Sequence, residues 1–202
     1  MRAGSRTLGV AFSDGHRRSR LAGAVVRADG TLDGLAFGTC TVGGMDATAA
    51  VIHLFEALGR EDVRQICCAG VAPAWFNLLD LDRIHGATDR PVLAVSYEES
   101  SGLEPALREA FEGDALDSRL AIYRRLPPRR RVALGGSGGE SAPLFVRAVG
   151  TGEGGANVGE ADAGGETLET TVRTLVREGF RRPEPVRIAK IAAGAHRSAI
   201  ER

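Results

Sequence analysis

The sequence predicts an α/β protein built on one mixed sheet, and three observations carry that prediction. Three apolar runs near the start are joined by short polar turns, the pattern of an antiparallel meander. An amphipathic run with an aspartate before it and a glycine after it then reads as a crossover helix. Beyond it, Ile66-Cys67-Cys68-Ala69-Gly70-Val71 is a short, continuously apolar stretch ending in glycine and proline signals, which suits a central strand covered on both faces.

Taken in order, Thr7 to Phe12 (TLGVAF) is the first strand, and Leu21 to Ala28 the second after the polar turn Ser13 to Arg18. The turn Asp29-Gly30-Thr31 returns the chain to a third strand, Leu35 to Val42. Asp46 stands as the N-cap of a helix running from Ala47 to Leu58 and stopping at Gly59. The fourth strand spans Val63 to Val71, a small helix Leu78 to His85, and a fifth strand Pro91 to Ser96. Leu103 to Phe111 and Asp114 to Arg124 are predicted helical, Leu144 to Val149 a strand, and Thr167 to Arg177 a helix. Pro183-Glu184-Pro185 opens a last helix through Ala199.

That succession is the element order of the ribonuclease H-like fold. Right-handed crossover places the fourth strand parallel to the first at the centre of the sheet, with the fifth outside it and helices on both faces. Ligands of open α/β sheets bind beyond the carboxyl ends of the strands, so Ala72-Pro73-Ala74-Trp75-Phe76-Asn77 occupies the expected crevice.

Composition bounds the function. The 202 residues are read as a single domain, 1–202, with glycine-rich, few-anchored segments at 135–140 and 150–165. Neither segment has the lysine followed by serine or threonine that closes a phosphate loop. Lysine and arginine number 26, as do the acids, so no global field draws the chain to nucleic acid and any such binding needs a local patch. Lys190 is the only lysine. Cys40, Cys67 and Cys68 have no zinc spacing and read as small core residues of a cytoplasmic protein. No apolar run approaches the ~20 residues of a membrane span.

The chain resembles the archaeal family labelled endonuclease dU, itself similar in fold to endonuclease V. The resemblance rests on Thr41-Val42-Gly43-Gly44-Met45-Asp46-Ala47-Thr48, on Ala69 to Leu81 (AGVAPAWFNLLDL), on Arg90-Pro91-Val92-Leu93-Ala94-Val95-Ser96 and on Pro183-Glu184-Pro185-Val186-Arg187-Ile188-Ala189. It implies an endonuclease V-like domain and, by the family's label, metal-dependent phosphodiester hydrolysis in DNA carrying deaminated bases such as deoxyuridine. Mg2+ or Mn2+ is the implied cofactor and DNA the implied partner, with RNA as an alternative. Such hydrolysis needs carboxylates gathered on neighbouring strand ends. The family pattern sets acids about where Ala11, Phe12, Gly43 and Ala69 stand, and this chain departs at each position. Two readings follow: a metal-dependent nuclease, or a catalytically degenerate nucleic-acid-binding or structural protein of the same fold that uses no cofactor.

For the nuclease reading the candidate metal ligands are Asp14, Asp46 and Asp80, with Asn77 assisting catalysis. Each has a plainer alternative: Asp14 in a Ser-Asp-Gly turn, Asp46 as a helix cap, Asn77 and Asp80 as cap and first-turn acid of the small helix. Trp75 and Phe76 are candidates for stacking on a base, or else for core packing or a contact in a homodimer. Arg124, Arg125, Arg129, Arg130 and Arg131 form the best phosphate-binding run, expected as an exposed, extended segment, with a solvated charged loop as the alternative. The four histidines are scattered and assemble no nucleophile-base pair.

Overall fold

The computed structural model describes residues 4–134, 143–151 and 167–201. The glycine-rich segment at 135–140 lies outside the described residues, as does the one at 150–165 beyond Thr151.

The predicted meander forms as β1 (Arg6–Asp14), β2 (Arg18–Arg27) and β3 (Leu32–Thr41), each antiparallel to the one before. Helix α1 (Ala47–Leu58) crosses to β4 (Val63–Ala69), which lies parallel to β1. A single turn, α2 (Pro73–Phe76), and α3 (Leu81–Thr88) lead to β5 (Val92–Ser96), parallel to β4. Then come α4 (Glu104–Ala110), α5 (Gly113–Arg125), the short β6 (Arg130–Val132), β7 (Leu144–Val149), α6 (Leu168–Leu175) and α7 (Glu184–Ile200). Among the described residues the seven strands share one sheet in the order β3-β2-β1-β4-β5-β7-β6. This is the expected ribonuclease H-like mixed sheet with helices on both faces.

Two boundaries differ from expectation in ways that matter. β1 pairs with β2 as far as Asp14↔Ser19, so Asp14 is the last residue of the strand rather than part of the turn beyond it. β4 stops at Ala69, where Gly70 takes a φ of 81° and ends the ladder. β6 is an addition: Arg130 and Arg131, two of the five arginines of the run, belong to an edge strand hydrogen-bonded to β7, which a segment with so few apolar residues does not signal.

The central position of β1 explains its composition, since residues Thr7 to Ser13 are all buried between two covered faces. Leu8, Val10 and Phe12 point to one face, where they join Ile66 and Cys68 of β4, Val51 of α1 and Ile84 of α3. Full burial of each such aliphatic side chain contributes about 1.5–3 kcal/mol. The other face of β1 carries Thr7, Gly9 and Ala11, small residues over which α7 lies. A Cβ on Gly9 would stand 2.1 Å from the carbonyl of Pro185. Glycine is therefore required there, and the close approach fixes the start of α7 on the strand. On the same side Cys67, Leu93, Val95 and Val146 pack under α6 and Val186. The cysteines are free and buried, as read from sequence, and burial pushes the Cys68 thiol up to about 12.

Candidate nucleic-acid interface

Strands β1, β4 and β5 end side by side, as the registers Val10↔Cys68 and Cys68↔Ala94 require. Beyond their carboxyl ends lies a groove of about 630 Å3, at the place the topology predicts. Phe12, Ala69, Gly70 and Ser96 come from or just past the strand ends, Pro73 and Ala74 from α2, Arg147 from β7, and Val186 and Lys190 from α7. Its ionisable lining is unbalanced. Arg129, Arg147, Arg181, Arg182 and Lys190 face two acids, Asp14 and Glu98.

Each of these cations is held by neutral groups. Lys190 Nζ donates to the Phe12 carbonyl at 2.5 Å, at the end of β1. Arg129 lies 4.0 Å over the Phe145 ring and donates to Ser96 Oγ and to the carbonyls of Glu98 and Ser100. Burial, and then the charge of Arg147, lowers the pKa of Arg129, yet a guanidinium remains charged at any working pH. Arg147 donates to the Pro127 carbonyl and sits 5.5 Å from the Tyr123 ring centre. Arg181 donates to the Tyr97 carbonyl, and Arg182 lies over the Tyr97 ring. Among the described residues none of the five has a carboxylate partner, whereas Arg6, Arg60, Arg108, Arg124, Arg125, Arg173, Arg187 and Arg197 elsewhere all do.

The aspartates named from sequence do not meet. Asp14 alone lines the groove, at its rim, with Oδ1 accepting from Ser19 Oγ at 2.6 Å. Asp46 stands at the N-cap position of α1 but makes no side-chain cap bond. Its carboxylate instead accepts from the Thr41 amide and hydroxyl and from Asn77 Nδ2 at 2.7 Å. Burial opposes the Asp46 charge, but the bonds from Thr41 and Asn77 outweigh it and hold its pKa below the ordinary value. Asn77, fully buried, supplies the missing cap by accepting from the Ala47 amide at 2.9 Å and also donates to the Thr41 carbonyl. Asp46 and Asn77 thus clasp β3, α1 and α2 together. Asp80 caps α3 through the Arg83 amide and pairs with Arg125 at 2.9 Å.

The arginine run divides. Arg124 and Arg125 lie in the last turn of α5, neutralised by Glu104 and Asp80. Arg130 and Arg131 belong to β6, and only Arg129 lines the groove. An isolated extended segment is therefore the wrong picture. Charges at a helix end find carboxylates on neighbouring helices, and Arg130 and Arg131 are drawn into the sheet.

Trp75 and Phe76 do not line the groove either. Ala74, Trp75 and Phe76 have φ of 48°, 52° and 59°, three successive left-handed residues without glycine. Such a turn costs about 1–2 kcal/mol per residue. Arg119 holds it. That side chain, 3% exposed, donates to the carbonyls of Phe76, Gly43 and Gly44 and stacks 3.7 Å from the centre of the Phe111 ring. Trp75 remains 54% exposed, against Phe111, with its ring where a Cβ on Gly43 would be 2.7 Å away.

Sequence reasoning missed Arg147, Arg181, Arg182, Lys190 and Arg119. The solitary lysine was a signal, but nothing in one dimension places the other four beside it or assigns Arg119 its carbonyl cage.

The donor set does not fit a divalent metal. Hard cations take several oxygen ligands, and magnesium is held by one or two carboxylates together with waters and substrate phosphates. Among the described residues no group of three or more histidine, cysteine, aspartate or glutamate side chains converges, and the groove's own cations oppose a further positive charge. An anion suits it better.

The family described as Endonuclease dU matches residues 3–197. A UPF0215 protein of Thermococcus kodakarensis is 31% identical over 182 residues, covering 89% of this chain and 82% of the relative. Among solved structures, a protein from Archaeoglobus fulgidus superposes with a TM-score of 0.74 at 24% identity, over 95% of this chain and 97% of that one. Endonuclease V of Ciona intestinalis, bound to DNA containing an inosine, gives 0.55 at 11% identity over 98% and 87%. The likenesses to solved structures concern the fold.

Proposed function

This chain belongs to the endonuclease dU family, and on that premise we propose that its groove binds the phosphate backbone of nucleic acid, DNA first, without the carboxylate centre that hydrolysis needs. The observation that carries the reading is the set of five groove cations with no carboxylate partner among the described residues. Several arginines elsewhere are neutralised by neighbouring acids, whereas these five charges, gathered on one groove, are not. Phosphate contacts fix orientation and carry no sequence information. The groove accordingly accounts for affinity and leaves the choice of base to other contacts.

The test is fluorescence anisotropy of a labelled DNA duplex across a salt series. If all five cations meet phosphates, the logarithm of affinity falls against the logarithm of salt with a slope of roughly −4.5. Replacing Arg129 and Arg147 together by alanine reduces that slope by about 1.8. Undiminished affinity in this double variant would refute the reading.

The rival is the reaction in the family's description, metal-dependent cleavage of DNA carrying deaminated bases. One observation favours it: Asp14, a carboxylate, reaches the groove. Incubating deoxyuridine- or deoxyinosine-containing duplex with Mg2+ or Mn2+ separates the two. Cleavage abolished by Asp14→Ala would establish hydrolysis, and intact duplex supports binding alone. An RNA duplex of the same sequence tests the choice of nucleic acid, and light scattering tests pairing of two copies at the exposed Trp75.

A further inference from the structure

We infer that Lys190 takes over at the end of β1 the electrostatic role of a bound cation, so that the groove holds backbone phosphate with no divalent metal. The inference deepens the nucleic-acid reading and rests on it.

Three positive groups ring the strand ends. The Lys190 ammonium is tied to the Phe12 carbonyl of β1, while Arg129 is tied to Ser96 and Glu98 and Arg181 to Tyr97, at the end of β5. Between them β4 ends in Ala69 and Gly70, which offer no side-chain oxygen. Two carboxylates sharing this space with a metal would leave it near neutral or positive for an incoming phosphate. Here the same result comes from side chains alone, with Asp14 and Glu98 as the only acids on the lining among the described residues.

The identity of the residue adds a second argument. In a chain whose 26 basic residues include one lysine, that lysine, on α7, sets its ammonium against the end of β1. An ammonium is a compact point charge with three rotatable donors, whereas a guanidinium is a wide planar fork. One donor can stay on the Phe12 carbonyl while the others turn to a phosphate oxygen, as a small ion would direct its free positions. Close seating of α7, with Gly9 under Pro185, sets how far along β1 the ammonium reaches.

The experiment is anisotropy of a fluorescein-labelled DNA duplex with the full chain, in EDTA and in magnesium at matched ionic strength. Affinity in EDTA equal to or greater than that in magnesium is expected. Lys190→Gln should weaken binding and reduce the salt slope by about 1, whereas Lys190→Arg, which keeps the charge but not the compact ammonium, should retain the slope and lose part of the affinity. Binding by the unmodified chain that requires Mg2+ or Mn2+ overturns the inference while leaving the groove reading intact. So does undiminished binding by Lys190→Gln. Failure of the unmodified chain to bind duplex in either buffer overturns the groove reading itself. The EDTA arm needs no variant, and melting temperatures of both variants exclude a folding defect as the cause of any loss.

Discussion

Arg119→Met tests how the crevice-side turn is held. The guanidinium makes charged hydrogen bonds to the carbonyls of Phe76, Gly43 and Gly44, plus one within its own helix to Ala115. A bond to a charged group is worth about 1.5–3 kcal/mol, so the three cross-chain bonds amount to roughly 4.5–9 kcal/mol. Two effects offset this. Burying a guanidinium without a carboxylate costs several kcal/mol, about 3 as a working figure. Relaxation of three left-handed residues returns a further part of about 1–2 kcal/mol each. The net expectation is a loss of about 2–3 kcal/mol, or roughly 4–12 °C in melting temperature for a chain of this size. Trp75 is the only tryptophan and leans on Phe111, beneath Arg119, so its emission reports the turn directly. Release of the turn shifts the emission at temperatures where far-ultraviolet circular dichroism is still native. An Arg119→Met protein with unchanged melting and unchanged emission would refute the argument that this cation clamps a strained turn.

Gly9→Ala drives a methyl into the Pro185 carbonyl and should cost about 3 kcal/mol, read as a lower urea midpoint. It should also weaken DNA binding at temperatures where the variant stays folded, because the displaced helix carries Lys190. Asp46 sets an acid limit. Its folded carboxyl titrates below the ordinary 3.8, so its contribution is complete above the unfolded value and fades as pH falls through the folded one. Urea midpoints measured at about pH 5 and about pH 3 should therefore drop more steeply in the unmodified protein than in Asp46→Asn.

Most of the sheet was legible because each strand is patterned locally. Continuous apolar runs marked β4 and β5, and polar turns separated β1, β2 and β3. The position of the crevice followed from chain order alone, since a right-handed crossover leaves few placements for β4. Its chemistry did not follow. Arg147, Arg181, Arg182 and Lys190 arrive from a late strand, a loop and the last described helix, and no spacing rule joins them. Asp46 and Asn77 sat at positions that suit either a cap or a ligand. Their bond to each other, which forms the clasp, crosses 31 residues. Arg124 and Arg125 looked free because their acids, Glu104 and Asp80, lie 20 and 45 residues away.

The link between Lys190 and Phe12 joins groups 178 residues apart. On the ribosome, β1 is finished long before α7 leaves the exit tunnel, so a nascent chain can lay down its sheet while the crevice still lacks its ammonium. Closing so distant a pair is entropically slow to nucleate, which makes docking of α7 a late event in folding. Full affinity for phosphate should consequently appear late, after most secondary structure has formed, and translation stalled ahead of α7 should yield particles that are structured yet bind polyanions more weakly than the finished chain.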